Sequence, residues 1–264
     1  MNPWDLDRAF AQIPLLDGFA LEQFTITALP GYTNHNFRLF NVEHDWVLRL
    51  PRPATDQFID RAAEAHNQAL AHRLGLAPQA LWRNAAGVTL TPTLSHSRSL
   101  QPADFDSEET LTAIVESLQR LHRSGLRFAG RENLGELLSS HYQLLSARQR
   151  APFVERMKQA QRILALLQYD EQPWVPSHRD LVLENLLLAD RRLWFIDWEY
   201  SAMASPYWDL ATLCNEANLD LRQSRRLLQA YCVGGAAMKE STLFDYRGLL
   251  KLFTDCWMTA LAEP

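Results

Sequence analysis

At 264 residues the chain is near the size where one hydrophobic core stops growing, so a single large domain and a two-lobed body both fit its length. Its 47% apolar and 22% charged residues are ordinary for a globular protein. Against 31 Asp and Glu stand 26 Lys and Arg, a net charge of −5 without a basic stripe, which argues against a nucleic-acid partner. Cys214, Cys232 and Cys256 share no metal-like spacing and are expected as buried thiols of a reducing cytosol. The acidic N-terminus and the lack of a long apolar run argue against a secretory signal or a membrane span, so a cytoplasmic protein is expected.

In chain order, residues 3–16 read as a short amphipathic helix and Phe24 to Leu29 alternates as a strand. Turn-forming residues from Pro30 to Asn36 interrupt the pattern. Strands are then expected at Phe37 to Phe40 and Trp46 to Leu50, joined across Asn41 to Asp45. Helical spacing runs from Asp56 to Leu74, with Gly75 as its stop. Two further strands, Leu81 to Trp82 and Val88 to Leu90, flank a turn at Asn84 to Gly87.

Thr91 to Ser95 reads as a connector, and after it helical patterns dominate. They cover Ser107 to Ser124, Leu134 to Arg148, Phe153 to Gln168, Trp208 to Ala217, Leu221 to Cys232 and Phe244 to Leu261. Asp104 or Ser107 is the expected cap of the first. The pattern predicts a small β-rich lobe, residues 1–94, followed by a larger helical lobe, residues 95–264.

The chemistry concentrates between Ser177 and Asp209. There His178-Arg179-Asp180 is followed by Asn185 and then by an apolar run ending in Ile196-Asp197-Trp198-Glu199. In phosphoryl transfer a protein mainly positions groups, neutralises charge through Mg²⁺ and orients the attacking hydroxyl. Asp180 suits the role of accepting that hydroxyl's hydrogen bond, and Asn185 and Asp197 supply the hard oxygens that Mg²⁺ prefers. Glu199 is placed to add a metal ligand or a water contact. Each residue alone would read as turn or cap chemistry; their order together points to a site. Only eight residues separate Asp197 from the helix start at Pro206, too few for a peptide-docking segment, so a small-molecule acceptor is expected.

HxDLxxxN, then an apolar strand with I-D-W-E-Y, then P-x-W-D-L-A, resembles the choline/ethanolamine kinase family of the aminoglycoside-phosphotransferase-like group, and is similar also to bacterial thiamine kinases. The resemblance implies an α+β, bilobal protein-kinase-like fold, with ATP and Mg²⁺ as cofactors. Asp180 matches the catalytic base, Asn185 and Asp197 the metal ligands, and Asp209 the acid that steadies the catalytic loop. Gly31, Thr33, Asn34 and Asn36 look like the family's nucleotide loop. Arg49 occupies the place of the phosphate-binding lysine of protein kinases, with Glu64 as its ion partner; a surface ion pair is the alternative. Arg52 and Arg61 read as solvated.

For the acceptor, Tyr200 matches the tyrosine after the D-x-E of choline kinases, and Trp257, with Phe253 one turn before it, resembles the family's aromatic wall; aromatic faces recognise cations. A second tryptophan usual in that wall is replaced here by Thr254. Tyr207 and Trp208 read as core, as does His122, while His178 is expected to position its loop. The scattered histidines argue against zinc. The expected activity is transfer of a phosphoryl group from ATP to a hydroxyl of a cationic amino alcohol, choline or ethanolamine first, with thiamine and aminoglycosides as alternative acceptors. A non-catalytic nucleotide-binding regulator is the alternative of another class. The oligomeric state is not legible in the sequence.

Overall fold

The computed structural model describes residues 6–31, 33–52, 59–167, 173–235 and 237–261. Helix α1, Leu6–Phe10, ends sooner than expected, because Pro14 cannot continue a helix and instead opens a 3₁₀ turn, Pro14–Leu16; the expected start at residue 3 lies outside the described residues. Five antiparallel strands follow: β1 (Thr25–Leu29), β2 (Asn34–Phe40), β3 (Asp45–Pro51), β4 (Trp82–Arg83) and β5 (Thr89–Pro92), in the sheet order β1-β2-β3-β5-β4. Strand β2 begins at Asn34, so part of the expected loop is sheet. The β2–β3 turn is fixed by Asn41, whose Oδ1 accepts from the amides of Glu43 at 2.9 Å and His44 at 2.7 Å.

The buried face of this sheet, with Leu39, Leu48, Leu50 and Leu90, packs against Phe10, Ile13, Leu16 and Phe24 of the N-terminal segment. Helix α2, Arg61–Arg73, starts where the Asp60 side chain accepts from the amides of Ala62 and Ala63, both at 3.0 Å. The expected start at Asp56 lies outside the described residues. Gly75, at φ +69°, closes it in the left-handed region.

The remainder is mostly helical: α3 (Glu108–His122), α4 (Leu134–Leu144), α5 (Ala147–Arg150), α6 (Val154–Leu167), α7 (Pro206–Glu216), α8 (Leu221–Cys232) and α9 (Glu240–Leu261). Ser107, not Asp104, caps α3, accepting from the Thr110 amide at 3.3 Å. The single helix expected from Leu134 to Arg148 breaks at Leu145. Ser146 and Gln149 form a reciprocal capping box there, and the new helix start wins over the continuing apolar period. Helix α7 begins at Pro206, with Ser205 as cap and the proline in the first turn, where its missing N–H costs nothing. Among the described residues no helix is long and apolar enough to cross a membrane.

Five short strands hold the loops that matter. β6 (Arg98–Ser99), β8 (Leu186–Ala189) and β9 (Arg192–Phe195) form one antiparallel sheet, and β7 (Val175–Ser177) pairs with β10 (Ala202–Ala204). Pairing of Ser177 with Ala202 sets the segment after β7 beside the segment before β10. The two chemistry-bearing stretches therefore face each other.

Candidate active site

The β8–β9 hairpin turns through Asp190 and Arg191, both at positive φ, and brings Leu186 opposite Phe195. The Ile196 amide continues the pairing onto the Asn185 carbonyl at 3.0 Å, which sets Asp197 beside Asn185. Asn185 donates its side-chain amide to the Asp180 carbonyl at 2.9 Å and to Asp180 Oδ2 at 3.0 Å. Asp180, Asn185 and Asp197 thus converge as expected.

Behind them, fully buried Asp209 accepts the His178 amide at 2.9 Å and the Arg179 amide at 2.7 Å, and lies 3.0 Å from His122 Nε2. Burial alone would raise its carboxyl, but the hydrogen bond and charge of His122 hold it below the ordinary range. His122 Nδ1 is 2.7 Å from the Tyr231 hydroxyl, so this histidine is a satisfied core residue. His178 donates from Nε2 to the Ile196 carbonyl at 3.0 Å, and burial pushes its pKa down to about 4. His178 is therefore neutral, and its ring ties the loop to the segment after β9. Trp208 donates to the Arg179 carbonyl at 3.1 Å and is core, as is Tyr207, whose hydroxyl accepts the Lys239 amide at 2.6 Å.

Burial, and after it the charges of Asp197 and Glu199, push the Asp180 carboxyl up to about 7. The Asp197 carboxyl is likewise pushed up to about 7 by burial and Glu199, against the opposing pull of Arg49. Shifts of this size in neighbouring buried carboxylates mark a candidate functional site.

The residues fit magnesium. Asn185 spends its side-chain NH2 on Asp180, which leaves its side-chain oxygen as an acceptor. Asp197 Oδ2 accepts from Asn34 Nδ2 at 3.3 Å. Two hard oxygens completed by water and phosphate are what Mg²⁺ takes. Among the described residues no group of three or more His, Cys, Asp or Glu is arranged to hold a metal, as a zinc site would be.

From the sheet side, Arg49 pairs with Glu64 and donates to Asp197 Oδ1 at 2.7 Å. Glu64 is 1% exposed, so the surface-pair alternative fails. Burial would lower the Arg49 pKa, but the charges of Glu64, Asp197 and Glu199 raise it above its usual value. Two arginines that the sequence did not single out as site residues join this network. Arg61, expected to be solvated, has a side chain only 9% exposed and donates to Glu64 Oε2 at 2.8 Å; Arg83 lies 3.2 Å from Glu64 Oε1. The Arg61–Glu64 spacing along one helix was the available signal; Arg83 had none.

In the expected nucleotide loop, a Cβ on Gly31 would sit 2.5 Å from the Asn34 carbonyl oxygen and from Asn36 Nδ2, so the glycine makes room for the loop itself. Asn36 donates to the Pro30 carbonyl at 3.0 Å, and Arg52, expected to be solvated, reaches the Gly31 carbonyl at 3.3 Å. Asn34 turns inward, donating to Thr33 Oγ1 at 3.0 Å and Glu199 Oε2 at 3.1 Å. Tyr32 lies outside the described residues.

On the acceptor side, Tyr200 is partly buried, and burial with the charge of Glu199 raises its hydroxyl pKa. Its carbonyl accepts from Arg179 Nη1 at 2.7 Å, and that guanidinium lies 4.3 Å over the Trp208 ring. Trp257 and Phe253 pack on His141 of α4, with ring centroids 5.0 Å and 4.9 Å away. The aromatic cluster therefore includes a histidine that sequence spacing did not connect to it.

The chain is similar to several kinases. It is 34% identical over 212 residues to Protein LicA of Haemophilus influenzae, which covers 78% of this chain and 62% of that relative's length. It is 31% identical over 159 residues to thiamine kinase of Salmonella gallinarum, covering 59% of this chain and 52% of that one. A solved structure of a choline/ethanolamine kinase family protein from Mesorhizobium loti superimposes with a TM-score of 0.78 at 28% identity, over 96% of this chain and 84% of that one. That likeness gives the chain the bilobal, protein-kinase-like fold of the choline kinases, with a β-rich N-terminal part and a helical C-terminal part. The family model described as "Phosphotransferase enzyme family" matches residues 25–244, and the chain belongs to that family.

Proposed function

We propose that this phosphotransferase is a small-molecule kinase that moves the γ-phosphoryl group of ATP, with Mg²⁺, onto the primary hydroxyl of a cationic amino alcohol, choline or ethanolamine first. The observation that carries the reading is the convergence of Asp180, Asn185 and Asp197, with Arg49 donating to Asp197 from the opposite lobe. Asp180 accepts the hydrogen bond of the acceptor hydroxyl. As the new oxygen–phosphorus bond forms and the bond to the β–γ bridging oxygen breaks, ADP leaves and the proton passes to the Asp180 carboxylate. Asn185 and Asp197 would hold magnesium, whose charge would offset that of the transferring group. Arg49 and the loop of Gly31, Thr33, Asn34 and Asn36 would hold the nucleotide, while Glu199, Tyr200 and Trp257 would face the cationic acceptor. The nucleotide lobe spans residues 1–94 and the acceptor lobe 95–264, and the protein acts in the cytoplasm.

Thiamine is the second acceptor, favoured by the likeness to thiamine kinase. An aminoglycoside acceptor would call for an acid-lined rather than an aromatic pocket. Labelled ATP with a panel of choline, ethanolamine, thiamine and an aminoglycoside tests the reading. Label should pass to a cationic amino alcohol; passage to none of the four would overturn it and favour a nucleotide-binding regulator.

A further inference from the structure

Glu199 is held by one oxygen only. Asn34 Nδ2 donates to Oε2 at 3.1 Å, Arg61 Nη1 reaches the same atom at 3.4 Å, and Arg49 Nη1 lies 4.0 Å from it. The other oxygen, Oε1, is buried and accepts no hydrogen bond among the described residues. A buried carboxylate oxygen left without a donor is costly, and such an atom in a native site calls for a partner that arrives with the ligand.

Asn34 and Arg61 together hold Oε2, and Arg61 brings the charge. It reaches Glu64 Oε2 and Glu199 Oε2 with the same Nη1, so it links the acid behind Arg49 to the acid two residues beyond Asp197. Its side chain is seated by the turn between β4 and β5. Gly87 there has φ +82°, and a Cβ at that position would lie 2.6 Å from Arg61 Cδ and 2.7 Å from Nε. The backbone angle favours glycine, and an added methyl would displace the Arg61 side chain.

We propose that Arg61, seated by Gly87, is a positioning residue: it fixes Glu199 through Oε2 so that Oε1 is presented to a cation in the cleft. That cation is the magnesium of the nucleotide or the positive group of the acceptor, and the two share the chemistry that Oε1 offers. The inference rests on the kinase reading above. Arg61 is proposed to act on the cation through Glu199 and not by touching it.

The test uses the whole chain and three variants, Arg61→Met, Arg61→Lys and Gly87→Ala. Binding of a fluorescent ADP analogue is titrated with Mg²⁺, acceptor KM and kcat are measured separately, and stability is followed in urea. In Arg61→Met, either the Mg²⁺ half-saturation or the acceptor KM should rise by about tenfold or more, the usual consequence of losing a partner that orients a ligand. The parameter that moves names the cation. Arg61→Lys should recover part of the loss, because a point charge serves one acid but not both in the same geometry. Gly87→Ala should move the same parameter in the same direction without altering any charged group; if it does not fold, the two Arg61 variants decide. Unchanged Mg²⁺ half-saturation and acceptor KM in Arg61→Met would overturn the inference, as would changes that track lost stability alone with Gly87→Ala silent. A wild-type chain that binds no magnesium nucleotide would overturn the kinase reading instead.

Discussion

Arg49 donates to Asp197 across 2.7 Å, although 148 positions separate them in the chain. The contact joins strand β3 to the second residue after strand β9, so the two lobes meet at the acid proposed to hold the metal. Because Arg49 also pairs with buried Glu64, removing it leaves two acids with one cation fewer. Arg49→Met is expected to lose about 1–3 kcal/mol of stability, the range for an unsatisfied buried polar group, with Arg61 and Arg83 limiting the damage to Glu64. Urea unfolding measures this, and a fall in nucleotide affinity larger than the fall in stability is the expected companion. Unchanged nucleotide affinity would remove Arg49 from the phosphate site.

Asp209 carries the loop that carries Asp180. An asparagine there keeps one acceptor oxygen but cannot accept from the His178 amide, the Arg179 amide and His122 as a carboxylate does. Asp209→Asn should therefore destabilise by about 1–3 kcal/mol for a buried donor left unpaired. It should also lower kcat more than it raises the KM for ATP, since Asp180 moves and the sheet lobe does not. Equal kcat in wild type and variant would reduce Asp209 to a stability role.

The acids and the amide of the site were legible because they lie within one short stretch whose strand and loop pattern fixes their order. Arg49 and Glu64 were legible through the kinase resemblance, which implies an ion pair between this strand and the helix that follows it. What sequence spacing left out depends on tertiary approach. Arg83 reaches Glu64 only because β4 and β5 fold back beside α2, and His141 meets Phe253 and Trp257 only because α4 packs on α9. The break at Leu145 was hidden by a continuing apolar period, although the Ser146 and Gln149 pair that causes it was present in the sequence. Asn34 matched a nucleotide loop, yet its amide faces the acids Asp197 and Glu199, a direction no motif encodes.

The raised carboxyls of Asp180 and Asp197 give a pH signature. Both titrate near pH 7 in the metal-free fold, against about 3.9 for an ordinary aspartate. The folded state then binds more protons than the unfolded one between those values. Their contribution to stability is full below about pH 4 and is lost as the pH rises through 7. Magnesium reverses the trend, because it stabilises the ionised carboxylate and displaces protons. The increase in melting temperature on adding Mg²⁺ with ADP should therefore be small at pH 5.5 and larger at pH 8. An increase independent of pH would place the metal away from Asp197.

Gly31 offers a test of the nucleotide loop that leaves every charged group in place. A methyl group there would fall 2.5 Å from the Asn34 carbonyl oxygen and equally close to Asn36 Nδ2. Asn36 can swing away, but the Asn34 carbonyl is backbone at the start of β2 and cannot move without moving the strand. Overpacking of this kind costs about 1–3 kcal/mol, and the loop is the part with room to give. Gly31→Ala should then weaken nucleotide binding by about tenfold, equivalent to roughly 1.4 kcal/mol. Acceptor KM should stay within about twofold, because Tyr200 and Trp257 belong to the other lobe and are not crowded by the methyl. Calorimetric titration with ADP, alongside steady-state kinetics, separates the two effects. Nucleotide affinity equal to that of the wild type would mean that this loop does not cover the phosphates.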